Sequence, residues 1–213
     1  DTVALGNLGN LHLHHQRIAE ARLCLERAEA LAGLTPALES LLIHILSSEG
    51  EFDVAISLQE KVLEKNPKNA ENHYNLGVLL ARSQQHTSAE ECFQRAIFQR
   101  PAYREAWHNL GQLQARSGRL KEAIFSFKRA LLLLPGDPAT ISTLVDVLIQ
   151  SDRASDAEEE AKRGLIVTPG AVLSILALGR AQLALGRKQD ALTTFASAVR
   201  AAPEHPLPLM SLA

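Results

Sequence analysis

The sequence predicts an all-α protein built as an α-solenoid of six helix-turn-helix repeats. Alanine recurs every 34 residues without insertion or deletion, at Ala21, Ala55, Ala89, Ala123, Ala157 and Ala191. Proline recurs at the same interval, at Pro67, Pro101, Pro135, Pro169 and Pro203. Apolar residues within each period also follow helical spacing. A fixed period of this length is typical of one supersecondary unit that is stacked repeatedly.

The repeats cover most of the 213 residues and predict a single solenoid domain. Their boundaries are 2–35, 36–69, 70–103, 104–137, 138–171 and 172–205. In residues 206–213, Leu209 and Leu212 have the spacing of another first helix, which predicts the start of a seventh repeat. We therefore expect the chain to be a fragment of a longer protein. Its unfinished ends would expose apolar surface and allow self-association.

Repeat 4 shows how each pair of helices is specified. Its first helix, helix A, is predicted over 104–117, and its second, helix B, over 120–133. Gly118 separates them, because glycine can take the left-handed conformation that ends a helix. Pro135 prevents helix B from continuing, since proline lacks the backbone N–H and clashes with the preceding turn.

Gly111 lies inside helix A, where a glycine costs about 1 kcal/mol relative to alanine. We interpret it as a point where the two helix backbones approach closely, with Ala123 as the small residue that faces it. Ile43 and Val145 stand at the glycine position of repeats 2 and 5. The helices of those two repeats are therefore predicted to lie slightly further apart.

The consensus residues of repeat 4 are Trp107, Leu110, Gly111, Ala123, Phe127, Ala130 and Pro135. This series resembles the tetratricopeptide repeat (TPR) pattern, with Gln114 in place of its tyrosine. The resemblance implies a right-handed superhelix, in which helices A line a concave face and helices B form the outer wall. It also implies a surface that binds other proteins.

Composition excludes several classes of partner. A formal net charge of -2 leaves no basic stripe for nucleic acid, and no apolar run is long enough to span a membrane. Cys24 and Cys92 occupy equivalent positions two repeats apart, which is too far for a disulfide. We expect both to be buried and reduced.

No catalytic or cofactor-binding motif stands out, so we expect no enzymatic activity and no cofactor. His12, His14 and His15 form the densest group of imidazoles. His12 and His15 could share a helix face as metal ligands, but no carboxylate or cysteine nearby completes a metal site. We interpret His12 as a packing residue and expect no bound metal.

The resemblance also implies which positions of helix A face the groove. The inward residue before each Leu-Gly pair is Asn7, Asn75 or Asn109 in repeats 1, 3 and 4. An asparagine amide both donates and accepts hydrogen bonds, so it can pair with the backbone of an extended peptide. The line partly resembles the inner asparagines of O-linked N-acetylglucosamine transferases. The alternative is that these asparagines are only solvated.

The predicted peptide-binding residues are Asn7, Tyr74, Asn75, Arg82, His108, Asn109, Gln112 and Arg116. Asn10 and His44 lie beside them. Arg82 and Arg116 stand one period apart and could pair with an acidic partner or with glutamates of a neighbouring repeat. We favour the glutamates.

The leading hypothesis for function is a protein-interaction scaffold that binds an extended peptide in its concave groove. A second hypothesis is a substrate-recruiting arm of a larger enzyme of the glycosyltransferase or sulfotransferase type. A third is a module for homo-oligomer assembly. Fold alone does not choose among them.

Overall fold

The computed structural model describes residues 1–33 and 35–202, and within these ranges it contains twelve α-helices and no strand. The first helices of the repeats are α1 (Thr2–His14), α3 (Pro36–Glu49), α5 (Ala70–Arg82), α7 (Arg104–Arg116), α9 (Pro138–Gln150) and α11 (Val172–Ala184). The second helices are α2 (Ile18–Ala32), α4 (Phe52–Lys65), α6 (His86–Gln99), α8 (Leu120–Leu133), α10 (Ala154–Val167) and α12 (Lys188–Ala201). Each of the six predicted repeats holds one pair, so the helix-turn-helix repeats are confirmed.

Pro203 and the predicted seventh helix lie outside the described residues. No helix in the described part of the chain combines the length and apolarity needed to cross a bilayer.

The chain divides into two compact units, residues 1–100 and residues 101–213. The first unit contains α1 to α6, and the described part of the second contains α7 to α12. Each unit has a core of its own. That of the first includes Ala21, Leu25, Leu38 and Leu41, and those of the second include Phe127, Ile141, Leu144 and Phe195. A single solenoid domain over the whole chain stays a prediction.

The turn between the two helices of every repeat places one residue in the left-handed region. Gly50, Gly118 and Gly186 occupy it as the sequence predicts, with φ of 88°, 76° and 76°. In the other three repeats the equivalent residues are Gln16, Gln84 and Asp152, with φ of 58°, 67° and 56°. Side chains are disfavoured in this region, so the stacked geometry fixes the turn even where glycine is absent.

The alanine column lies at the contact between paired helices. All six alanines, from Ala21 to Ala191, are 0% exposed. The expectation that Ala123 is the residue facing Gly111 is wrong, however. A Cβ on Gly111 would lie 3.0 Å from the ring of Phe127, which is nearer than Ala123. Gly111 therefore makes room for an aromatic ring that α8 inserts from one turn further along.

The two repeats without this glycine follow the prediction. The Cα atoms of α3 and α4, and those of α9 and α10, come within 8 Å of each other at fewer places than in the other four pairs. Ile43 and Val145, which replace the glycine, are both buried. Their side chains therefore occupy space that a phenylalanine ring fills beside Gly77, Gly111 and Gly179.

Two further consensus positions have hydrogen-bonding roles that the periodicity does not reveal. Trp107 donates its indole N–H to the carbonyl of Pro101 at 2.9 Å, and His73, at the equivalent position, bonds through Nε2 to the carbonyl of Pro67 at 2.9 Å. Gln114 fills the tyrosine position and is buried. Its Oε1 accepts a 2.7 Å hydrogen bond from the Ser126 hydroxyl, which satisfies the buried amide oxygen.

Both cysteines are free and buried, as the sequence predicts. Cys24 packs beside Gly9 in the first repeat. Burial raises the pKa of the Cys92 thiol above its ordinary value. A raised pKa keeps the thiol protonated and unreactive at neutral pH, which fits a packing role.

Candidate functional site

A groove of about 490 Å³ runs along the first unit between the facing sides of α1, α3 and α5. These are consecutive first helices, so the groove follows the surface that the repeat pattern assigns to ligand binding. Its polar lining includes Asn10, His14, Ser40, His44, Ser47, Ser48, Gln59, Tyr74, Asn75 and Arg82. Leu13, Ile43, Val78 and Leu79 supply the apolar lining. Amides, hydroxyls and aliphatic surface together suit a peptide main chain with small side chains.

Of the predicted binding residues, Tyr74, Asn75 and Arg82 are brought together in this groove. All three belong to α5: Tyr74 and Asn75 are adjacent, and Arg82 follows about two turns later at the end of the helix. The Tyr74 ring packs at a tilt against Phe93, with 5.8 Å between ring centroids, so its position is fixed by the core. Asn75 is half-buried, and its neighbour Leu76 is buried beneath it.

Among the described residues, Arg82 pairs with no glutamate, so the favoured expectation for this residue is wrong. Its Nη1 donates to the Ser47 hydroxyl on α3 at 2.5 Å. The guanidinium carbon lies 5.2 Å from the centre of the Phe52 ring, at cation–π distance. Two neutral groups therefore hold the side chain at the edge of the groove while leaving its charge uncompensated.

The described lining of the groove contains no aspartate or glutamate. Besides Tyr74 and Arg82, its ionisable residues are His14 and His44. His44 projects from α3, and burial lowers its pKa below the ordinary value. The neutral ring can donate one hydrogen bond and accept another. His14, at the end of α1, stacks edge-on against His15 with centroids 5.6 Å apart.

The asparagine line is not continuous. Asn7 is exposed on α1 but does not line the groove, whereas Asn10, one turn later, does. Between them and Asn75, the equivalent residue of repeat 2 is Leu41, which is completely buried against Gly9. An apolar residue at this position rotates into the core because burial is favourable. Ala177 of repeat 6 is also completely buried.

The other predicted residues belong to the second unit, where His108 has both ring nitrogens engaged. The Thr140 hydroxyl donates to the Asp137 carboxylate, so it accepts from Nδ1 of His108 at 2.8 Å. Nε2 must then accept from the Gln112 amide at 2.9 Å. Burial is the main cause that lowers the pKa of His108. This network around a neutral imidazole joins α7 to the start of α9 and occupies two side chains that the sequence assigns to a ligand.

Asn109 is half-buried on α7, and Arg116 is exposed at the end of the same helix. Two repeats along from α7, Arg180 makes a two-pronged ion pair with Asp146, with distances of 2.8 and 3.2 Å. It also donates to the Ser142 hydroxyl at 2.8 Å. This surface of the second unit is therefore internally charge-paired around Arg180, unlike the lining of the groove in the first unit.

Four polar groove residues on the first helices were not predicted from the sequence: His14, Ser40, Ser47 and Ser48. They occupy inward positions of helix A that the repeat pattern already identifies. Because the residue types at these positions differ from one repeat to the next, the repeat pattern does not mark them as binding residues. Only the packing of α3 between α1 and α5 shows that these side chains share one surface.

Three family models described as Tetratricopeptide repeat match the chain, at residues 46–116, 104–137 and 143–206. None of the curated proteins compared matches it by sequence.

Several solved structures are similar. PilW, titled a type IV pilus biogenesis factor, is 21% identical with a TM-score of 0.78, over 100% of this chain and 98% of that one. PilF of Pseudomonas aeruginosa is 19% identical with a TM-score of 0.74, over 99% of this chain and 94% of that one. YrrB, titled a TPR protein with an unusual peptide-binding site, is 19% identical with a TM-score of 0.63, over 88% of this chain and 96% of that one. At these identities the likeness supports the fold alone.

Proposed function

Because the chain belongs to the tetratricopeptide repeat family, we propose that it is a protein-interaction scaffold that holds an extended segment of a partner protein. The segment lies in the groove of the first unit, between α1, α3 and α5. The observation that carries this proposal is the groove itself. Three consecutive repeats contribute to it, and its lining alternates amide and hydroxyl groups with aliphatic surface.

The amides provide main-chain recognition in this proposal. Asn10 and Asn75 lie on opposite walls, on α1 and α5, and each offers donors and an acceptor. A peptide bond also needs one donor and one acceptor, and an unmatched group costs free energy when it is buried. Pairing with the two asparagines therefore favours extended backbone with little dependence on sequence.

Rigid walls support the same proposal. The Tyr74 ring is packed against Phe93, and Ser47 is buried while it accepts from Arg82. Side chains that are already ordered lose little conformational entropy when a ligand binds. On the inner surface of the second unit, Asn109, Gln112 and Arg116 remain proposed peptide contacts in their own right, whereas His108 is held by its internal hydrogen bonds.

Binding selection tests the proposal. The intact chain is used to select from a library of random, terminally blocked dodecapeptides, and affinities of the selected peptides are measured by fluorescence anisotropy. Removing both groove amides in Asn10→Ala with Asn75→Ala should weaken binding by roughly thirtyfold, since each net hydrogen bond contributes about 1 kcal/mol. Asn66→Ala, which changes an exposed asparagine outside the groove at the end of α4, is the matched control.

The result that would overturn the proposal is unchanged affinity in the double variant with an unchanged circular dichroism melting curve. Failure to select any peptide would overturn it as well. A substrate-recruiting arm of a larger enzyme would bind its substrate in the same groove. This experiment therefore does not distinguish that hypothesis from a scaffold without a catalytic domain.

A further inference from the structure

We propose that the groove of the first unit contains a subsite at Arg82 for a carboxylate side chain, so that its partner segments are acidic peptides. This inference rests on the proposed peptide binding and adds the chemistry of the preferred partner. It depends on three observations: the unused donors of Arg82, the absence of acidic groups from the described groove lining, and the fixed position of the guanidinium.

Arg82 has more hydrogen-bonding capacity than the protein uses. A guanidinium carries five N–H donors in a planar fork that matches the two oxygens of a carboxylate. Ser47 is the one hydrogen-bond acceptor that Arg82 engages in the described residues. No aspartate or glutamate of the described chain lies within ion-pair distance of it. Its remaining donors border the groove.

Several other arginines are paired within the protein. Arg22 bonds to Glu49 between repeats 1 and 2. Arg104 lies 3.5 Å from the carboxylate of Asp137, and Arg180 forms the two-pronged pair with Asp146. Each of these charges has its counterion in the fold. Arg82 and Arg116, one period apart on α5 and α7, have no counterion among the described residues, and Arg82 is the one of these two that lines the groove.

The lining around Arg82 favours an anion and opposes a cation. His14 and His44 are the nearest ionisable groups of the lining besides Tyr74, and none of these carries a negative charge at neutral pH. An incoming glutamate therefore meets no repulsion inside the groove. An incoming lysine meets the positive charge of Arg82 and finds no carboxylate to offset it.

Preorganisation should make the subsite effective although it is partly open to water. Phe52 supports the guanidinium from one side, and the bond to Ser47 on α3 fixes one of its nitrogens. Long exposed side chains otherwise lose conformational entropy when they form an ion pair. Here much of that entropy is already lost when the protein folds. More of the free energy of a charge-assisted hydrogen bond therefore contributes to binding.

The experiment uses three pools of terminally blocked random dodecapeptides that differ only at two central positions, which hold glutamate, glutamine or lysine. Blocked termini remove any carboxylate other than the side chains. The probes are titrated against the intact chain at low and at high sodium chloride. We expect the glutamate pool to bind about tenfold more tightly than the glutamine pool at low salt, and the advantage to shrink as salt rises.

Three substitutions locate the effect. Arg82→Gln should remove the preference for glutamate, and Arg82→Glu should reverse it so that the lysine pool binds best. Because charge reversal produces a gain of binding, it separates loss of the subsite from loss of the fold. Arg95→Gln makes the same charge change on the exposed face of α6 in the same repeat and should leave the preference intact.

Equal binding of the glutamate and glutamine pools would overturn the subsite while leaving the peptide-binding groove in place. A glutamate preference that survives Arg82→Gln would place the anion site elsewhere and would also overturn the inference. If no pool binds at all, the proposed function fails together with the subsite.

Discussion

At the scale of single residues, one atom decides how closely paired helices pack. Gly77, Gly111 and Gly179 each leave room for the ring of a phenylalanine on the partner helix. The tightest case is Gly179, where an added Cβ would lie 2.2 Å from the ring of Phe195. Phe195 is itself buried and cannot move without disturbing its neighbours.

Gly179→Ala should therefore destabilise the protein by about 1–3 kcal/mol, the usual cost of overpacking a core. The loss should appear even though alanine is the better helix former by about 1 kcal/mol. Chemical denaturation followed by circular dichroism measures it.

The matched control for this substitution is Gly6→Ala in α1, where the added Cβ would lie 3.9 Å from the nearest atom. With no clash to offset the higher helix propensity, that variant should be as stable as the native protein or up to about 1 kcal/mol more stable. Equal effects of the two substitutions would show that the phenylalanine contact does not constrain the glycine.

At the scale of helices, first and second helices begin differently. Asp1, Thr35, Asn69 and Asp137 cap α1, α3, α5 and α9 by accepting hydrogen bonds from backbone N–H groups. No second helix has a side-chain cap among the described residues. These four first helices therefore have their starts fixed locally, while α7, α11 and the second helices begin without a side-chain cap.

Ala171 begins α11 without a side-chain cap, although its φ and ψ of -62° and 107° nearly equal those of Asp137, at -65° and 106°. Ala171→Asp should supply the missing acceptor and stabilise the protein by about 0.5–2 kcal/mol. Thermal unfolding would detect this as a higher midpoint.

Ala171→Asn serves as the control, because it offers the same cap without the charge that interacts with the helix dipole. A similar gain for both variants would assign the effect to the hydrogen bond. If neither variant raises the midpoint, the backbone match with Asp137 does not suffice for a cap.

The network of His108, Gln112, Thr140 and Asp137 links two first helices and depends on a neutral imidazole. Burial lowers the pKa of His108 in the folded protein relative to the unfolded chain. The unfolded state therefore binds the proton more readily, so this residue makes stability fall as pH drops below the ordinary histidine pKa. Above that pKa its contribution is fully present.

His108→Gln should flatten part of the decline in unfolding free energy between about pH 7 and pH 5, where an ordinary histidine titrates. Denaturation curves at a series of pH values for the native protein and the variant give the two slopes. Parallel profiles across this range would mean that His108 is equally easy to protonate in the folded and unfolded states.

At the scale of the whole molecule, apolar side chains are unevenly distributed over the second helices. Leu132 and Ile166 stand at equivalent positions of α8 and α10 and are 70% and 79% exposed. Ala30 and Glu64 hold that position in the first two repeats, and Phe98, which is 82% exposed, holds it in the third. Exposed apolar side chains close to one another favour association. We therefore expect Leu132 and Ile166 to promote self-association of the chain.

Leu132→Glu with Ile166→Glu should reduce self-association without loss of stability, because neither side chain is buried. Sedimentation velocity at increasing protein concentration measures association, and the melting curve monitors the fold. Lys121→Glu, at an exposed position, gives the same change of two in net charge without removing apolar surface. A similar loss of association in that control would assign the effect to charge instead.

Much of the fold was predictable because stacking imposes one period on every repeat. The six alanines, the positions of the turns and the ends of the helices follow from small residues, glycine and proline at fixed spacing. The groove was predictable only in part. Tyr74, Asn75 and Arg82 were identified, but Asn7 lies outside the groove and His108 bonds within the protein.

The sequence by itself determined that the chain forms paired helices in 34-residue repeats, because helix periodicity and helix breakers act within a few residues of each other. Only the tertiary structure decided which polar side chains remain available to a partner. That outcome depends on neighbours about one repeat away: Thr140 engages His108, Asp146 neutralises Arg180, and Ser47 leaves the charge of Arg82 uncompensated. Such pairings involve residues whose types vary between repeats, so no periodic pattern specifies them.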